Sequence, residues 1–187
     1  MAEAGLRTQR LILRPPAADD LPWLLEHFNT PAVMRHLGST VPSEEMAERL
    51  DADIAAFASG EYRRWTVLVA DDDRRVGRCG LFRVRSEAAP DALRGQSEIG
   101  WTFAEREWGK GYASEAARAV LDFAFETLAL AEVFSQTSES NAASTRMMHR
   151  LGFRSRPELG YVDPDYPPQD NPTTVWSLAA PDWKPDA

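Results

Sequence analysis

Cysteine is nearly absent: Cys79 is the only one among 187 residues. A single thiol excludes an internal disulfide framework and a zinc site built from a cysteine cluster. Histidine is scarce too. His27, His36 and His149 lie far apart and show no metal-ligand spacing, so no metal is expected. No apolar run has the length needed to cross a bilayer. Met1-Ala2-Glu3-Ala4-Gly5 lacks the basic-then-apolar layout of a secretory leader, so a cytoplasmic protein without a membrane partner is expected. Cations are in deficit, 21 Lys and Arg against 29 Asp and Glu, for a net charge of −8. That argues against a nucleic-acid partner, whose phosphates need a basic patch. No repeat, low-complexity tract or Pro/Gly/Ser-rich linker divides the chain, and its length suits one domain over 1–187 with room for a real core.

Patterning predicts strands and helices mixed along the chain. Residues 10–14 read as a strand stopped by Pro15 and Pro16. Asp19 or Asp20 is expected to cap a helix through Trp23, Leu24, Leu25 and Phe28. Pro31 opens a short helix ending near Gly38, and Ser43 starts a longer one ending at Gly60, with Glu44 and Glu45 at its positive dipole end. Residues 65–70 and 76–84, turned by Asp71-Asp72-Asp73, read as a hairpin. A polar loop leads to a strand over 98–103. Ala113, Ala116, Ala117, Val120, Leu121, Ala124 and Leu128 then share one helical face. A strand over 132–136, a helix over 141–151 stopped by Gly152, a Pro/Asp-rich loop over 163–172 and a last strand near 174–178 complete the chain. The expected class is α/β (α+β) with a mostly antiparallel sheet.

The segment that carries chemistry is Trp108-Gly109-Lys110-Gly111-Tyr112-Ala113, between a strand and the clearest helix. Glycines admit backbone conformations that side chains forbid and let a ligand approach the main chain. The first N–H groups of a helix lack internal partners and face the positive end of its dipole. Together they suit a phosphate or diphosphate, to which Lys110 adds a point charge. A P-loop is excluded, because position 104 is Ala and Gly111 follows Lys110; a dinucleotide fingerprint is a poor fit, because position 114 is Ser. A plain strand-to-helix connection remains the other reading of this segment alone.

The chain resembles the GNAT-type N-acetyltransferases, and within them the RimJ/RimL-like branch of ribosomal-protein N-terminal acetyltransferases. The matching residues, in the family's order, are Arg10-Leu11-Ile12-Leu13-Arg14, Glu98-Ile99-Gly100-Trp101, Trp108 through Ala116, Asn141-Ala142-Ala143-Ser144 and Leu151-Gly152-Phe153, and the resemblance covers most of the chain from 7 to 155. The resemblance implies a bent, mixed sheet of about six to seven strands flanked by helices, with a V-shaped splay between the strands at 98–103 and 132–136. It implies acetyl-CoA as cofactor, its diphosphate on the amides of Trp108, Gly109, Lys110, Gly111, Tyr112 and Ala113. The pantetheine arm would pair with the main chain at Trp101 and Phe103 and lie against Asn141. Trp108 departs from the Gln or Arg common there, but its N–H is expected to serve.

Acetyl transfer needs a neutral amine and a thiol able to leave. An α-amine titrates near ~8 and a lysine near ~10.4, so a modest base suffices for the former. Glu98 is the candidate base; a solvent-facing or ion-paired strand carboxylate is the other reading. Ser144 is the candidate for the leaving-group proton or for a hydrogen bond to the cofactor arm, or is an ordinary first-turn serine. The resemblance places an acidic tyrosine at the position of Met148, which cannot donate. Asn141 also suits a helix N-cap. Trp108 and Tyr112 can equally be core aromatics, His149 a dipole partner at a helix end, and Cys79 a buried structural thiol. By resemblance the acceptor groove holds Trp23, Phe28, Asn29, Met34, Arg35 and His36 from the first helices, and Tyr161, Asp163, Asp165 and Tyr166 from the late loop, whose carboxylates would attract an ammonium; a solvated acidic loop is the other reading. The expected partner is an amine, either a peptide N-terminus or a small amine such as a polyamine or antibiotic; a module that binds acetyl-CoA without turnover is the non-enzymatic rival. The resemblance admits a homodimer.

Overall fold

The computed structural model describes residues 5–60 and 63–185; residues 1–4, read above for a leader, lie outside the described residues. The strands are β1 (Leu6–Arg7), β2 (Leu11–Arg14), β3 (Arg63–Val69), β4 (Arg75–Arg83), β5 (Ser97–Phe103), β6 (Glu132–Ser138), β7 (Arg154–Ser155) and β8 (Thr173–Ala179). They form one sheet in the order β1-β2-β3-β4-β5-β6-β8-β7. The count of eight exceeds the six or seven expected, because β1 and β7 have two residues each and show no alternation. All neighbours pair antiparallel except β5 and β6. Those two run parallel because helix α4 (Tyr112–Asp122) carries the chain back across the sheet between them.

Strand alternation gives the sheet two unlike faces. Leu11, Leu13, Trp65, Val67, Cys79 and Ile99 are buried together on one face, packed with α4 and α5 (Ala142–Arg150). The alanines and Val120 and Leu121 of α4 fall at helical spacing and let it sit close to the strands. The opposite face carries polar residues in register. Arg14 lies opposite Thr66, Thr66 opposite Arg78 and Arg78 opposite Thr102; Arg64 faces Gly80, which faces Gly100; Phe82 faces Glu98. The early helices approach this face: α1 (Leu21–Trp23), continued by a π-helical segment Leu24–Phe28, then α2 (Pro31–Met34) and α3 (Ser43–Ser59). Met46 and Leu50 of α3 pack on Leu24 in a small second core. Gly60 closes α3 with a left-handed cap, its N–H reaching Ala56 O and Phe57 O.

Asp20 is not the side-chain cap expected for α1. It is 1 % exposed. Its Oδ1 accepts from Arg14 (2.5 Å) and Arg75 (2.6 Å), and its Oδ2 from the Thr66 hydroxyl (2.7 Å) and the Ala17 N–H (3.0 Å). Burial raises its pKa, but these donors outweigh burial and hold it at about 2. The carboxylate serves two buried-face guanidiniums, which attract it more strongly than a helix end does.

Candidate active site

β5 and β6 share a single registered pair, Glu98 opposite Phe134. Hydrogen bonds from Val84 N–H to Gln96 O and from Ala104 N–H to Val76 O, both 3.0 Å, set the alternation on β5. Even-numbered residues bond to β4, so Trp101 and Phe103 turn their main-chain groups toward β6. Past Glu98 β6 has diverged, which leaves an open strand edge inside the sheet. Cavities of about 730 Å³ and 600 Å³ lie on the two sides of this splay and share His36, Leu37, Trp101, Thr102, Asn141 and Ser144. They form one cleft through the sheet.

The larger cavity ends at the glycine loop. Gly109 (φ 77°) and Gly111 (φ 82°) both adopt the left-handed region that disfavours other residues. The first intrahelical bond of α4 runs from Glu115 N–H to Gly111 O (3.1 Å), so the amides of Gly111 to Ser114 lie ahead of it. Among the described residues the amides of Gly109 and Lys110 likewise have no acceptor. These donors, at a helix N-terminus bordering a cavity, fit a diphosphate.

Two expectations for this loop need correction. The Trp108 N–H is taken by Glu105 O (3.1 Å), so the donors start at Gly109. The Trp108 indole, 51 % exposed, instead donates to Phe103 O (2.8 Å) and ties down the open end of β5, so Phe103 O is already engaged. Lys110 does not line the cavity: its Nζ pairs with Glu107 Oε2 (3.1 Å), a buried carboxylate that also binds Arg74. Arg35 and Arg150 are the cations that line this cavity. Arg10, noted in the sequence only as part of a motif, clamps the loop. It donates through Nη1 to Lys110 O (3.0 Å) and through Nε to Glu115 Oε2 (2.6 Å), and lies over the Tyr112 ring at 4.9 Å.

Glu98 sits at the apex of the splay, 9 % exposed. Burial pushes its pKa up to about 7, against the Gln136 amide, which donates to Oε2 (2.7 Å), and the field of Arg64. Tyr161 in turn donates to Gln136 Oε1 (2.9 Å); burial holds its own hydroxyl protonated, with the pKa raised to about 12. Ser144 faces both cavities, and its hydroxyl has no partner among the described residues. Asn141 caps α5, with Oδ1 accepting from the Ser144 N–H (3.1 Å), and Nδ2 is left without a partner among the described residues. Met148 is fully buried in the main core and borders neither cavity. Cys79 is buried in the same core, and burial raises its thiol pKa.

On the smaller cavity the structure brings together Phe28, Met34, Tyr161 and Tyr166. It leaves out Trp23 and Asn29. Trp23 packs beside Phe28 in the small core. Asn29 is a structural clasp, its amide bonding both Val41 O (2.7 Å) and Val41 N–H (3.0 Å). Sequence reading missed Gln136, Asp170, Arg78 and Asp53. Asp170 is buried, pairs with His36 Nδ1 (3.1 Å) through Oδ1 and leaves Oδ2 without a partner. The signal for Arg78 and Glu98 was there, as polar residues at alternate positions on strands, but that pattern reads as a solvated face.

The chain is similar to known proteins in sequence and in fold. A family model for the acetyltransferase (GNAT) domain matches residues 10–154. The uncharacterized N-acetyltransferase p20 of Bacillus licheniformis is 27% identical over 154 residues, covering 80% of this chain and 82% of that protein. An acetyltransferase from Agrobacterium tumefaciens str. C58 superposes with a TM-score of 0.78 at 26% identity, over 95% of both chains. RimL, a ribosomal L7/L12 alpha-N-protein acetyltransferase, shares the fold with a TM-score of 0.71 at 14% identity, over 94% of both chains.

Proposed function

The chain belongs to the GNAT acetyltransferases, and from that premise we propose that it moves an acetyl group directly to an α-amine, such as the N-terminus of a protein or peptide in the manner of RimJ/RimL-like enzymes. The proposal takes residues 1–187 as one acetyltransferase domain. The observation that carries it is the buried Glu98 at the splay, with a pKa of about 7. A base of that strength lies within about one unit of an α-amine but more than three below a lysine side chain.

When bound, acetyl-CoA supplies the acetyl group as a thioester. The residues placed to hold it are the amides from Gly109 to Ser114, the cations Arg35 and Arg150, the open edge of β5 at Trp101 and the Nδ2 of Asn141. The Glu98 oxygen not engaged by Gln136, Oε1, accepts the proton of the ammonium. Ser144 Oγ is placed to donate a hydrogen bond to the departing thiolate, which is stable enough to leave without a stronger acid.

Thiol release from acetyl-CoA in the presence of peptide N-termini tests this. In the wild type kcat/KM should climb with pH through about 7, as Glu98 ionises. Glu98→Gln should lower it by roughly 10²–10⁴ near neutrality, with the deficit narrowing as pH passes the amine's own pKa near ~8. A deficit independent of pH would assign Glu98 a structural role, and turnover confined to lysine side chains would exclude the α-amine.

A further inference from the structure

On the acceptor side of the cleft, the polar face of the sheet holds two guanidiniums against one carboxylate. Arg78 is 5 % exposed; its Nη2 bonds Asp53 Oδ2 at 2.5 Å, and its Nε is buried without a partner. Arg64 reaches the same Asp53 oxygen at 3.7 Å and lies over the Phe82 ring at 4.8 Å. Among the described residues Asp53 is the one carboxylate within ion-pair distance of either guanidinium, while Glu98 and Asp20 act on them at longer range. Two cations thus share one contact carboxylate and one N–H donor stays buried without a partner, an arrangement that an anion would relieve.

The strand register places this pair relative to Glu98. Arg78 lies in the row of Thr66 and Thr102, Glu98 in the row of Phe82, and the row between them holds Gly80 opposite Gly100. The room the two glycines leave is taken by the Phe82 ring, which packs against Gly100, with Arg64 of the same row lying over it; the guanidiniums and the base border one cavity across that ring. Successive same-face rows lie about 7 Å apart, so Arg64, which shares the glycine row, starts one spacing from Glu98 and Arg78 starts two, its long side chain covering the difference. The other wall of the cavity is acidic: Asp163 and Asp170 are buried there, and Asp170 Oδ2 has no partner. A ligand that is cationic at one end and anionic at the other meets opposite charges on the two walls.

We propose that the acceptor is an α-amine carrying an anionic group within about 7 Å, its ammonium directed toward Glu98, Asp163 and Asp170 and its anion held by Arg64 and Arg78. This rests on the α-amine reading above and narrows it. The shared chemistry has two sources, the carboxylate of a free amino acid or an acidic residue following a peptide N-terminus.

The test is kcat/KM for thiol release from acetyl-CoA with two matched pairs of acceptors: L-phenylalanine against L-phenylalaninamide, and Ala-Glu-amide against Ala-Gln-amide. Within the dipeptide pair the reacting amine is the same, so a difference reports the side-chain charge. The anionic member of at least one pair should exceed its neutral partner by about tenfold or more, as for hydrogen bonds to a charged group. The pair that shows the preference identifies the source. Arg78→Met and Arg64→Gln should each pull that ratio toward one; if Arg78→Met does not fold, the partly exposed Arg64→Gln carries the test. Equal turnover within both pairs, or a preference untouched by Arg64→Gln, overturns the inference and leaves the α-amine reading standing. Turnover of lysine side chains alone overturns both.

Discussion

At the scale of single residues, the chemistry depends on how far the fold has removed one carboxyl from water. Glu98 holds its proton to about pH 7 when folded, against 4.5 ordinarily. Between those values the folded state binds the extra proton, so stability falls as pH rises from 4.5 to about 7, and the full penalty persists above. Its size is about 1–3 kcal/mol. Glu98→Gln removes the titrating group, so its melting temperature should match the wild type near pH 4.5 and exceed it by several degrees at pH 8. Calorimetric melts at the two pH values measure this; a difference that does not change with pH would mean the carboxyl is hydrated. The place of Glu98 at a strand opening was readable in the chain, but its burial was not. Alternating polar residues on a strand look the same whether water or helices cover them. Lys110 illustrates the opposite error: a cation beside a phosphate-type loop was assigned to the ligand, while Glu107, three residues back, had already engaged it. For the Trp108 amide the missing information was a local turn to Glu105 that no residue type announces.

Among the elements, the glycine loop is held from outside by a strand connection. Arg10 and Glu115 are bonded to each other, Arg10 also reaches Lys110 O, and Glu115 Oε1 accepts from the Thr8 hydroxyl (2.5 Å) and the Arg10 N–H (2.8 Å). The clamp fixes the direction of the loop's amides, and neither Arg10 nor Glu115 lines the cavity. Arg10→Ala should therefore weaken coenzyme A binding by roughly three- to tenfold, the worth of one or two charge-assisted bonds at a half-exposed site, while kcat changes less than twofold. Glu115→Ala should act in the same direction, and the double variant should bind no worse than the weaker single one, because both remove one clamp. Titration calorimetry reads these affinities, and additive losses would show that the two residues do not act as a unit. The loop and its helix were legible because two glycines and an alanine-rich helical face are strong local signals. So was α3, from its acidic first turn to Gly60. The π-helical segments at Leu24–Phe28 and Phe123–Thr127 were not, since the bonds that define them, Asn29 N–H to Leu24 O and Leu128 N–H to Phe123 O, have no residue signature.

Over the whole molecule, the sheet is two half-sheets, β1 to β5 and β6 with β8 and β7, that meet at one registered pair. The acceptor cavity draws on both halves and on segments far apart in the chain, as in the contact of His36 with Asp170. That is why the fold class could be inferred from patterning and motif order, while half of the acceptor site could not: its charge balance exists only after distant segments meet. The same architecture makes a sharp prediction about ligand binding. Even-numbered amides of β5, such as those of Gly100 and Thr102, are already turned to β4, whereas those of Trp101 and Phe103 face the gap. Coenzyme A at about a hundred times its dissociation constant should stabilise the fold by about 2.7 kcal/mol, roughly 5–10 °C in melting temperature. If it fills the splay, slowed hydrogen exchange should appear at Trp101 and at the Gly109 to Ser114 amides, with little change at Gly100 and Thr102, which are protected beforehand. A ligand lodged elsewhere on the protein would raise the melting temperature by the same linkage but leave the odd–even contrast along β5 unchanged, so the residue-by-residue exchange pattern, and not the melting shift, decides whether the gap between the half-sheets is the binding site.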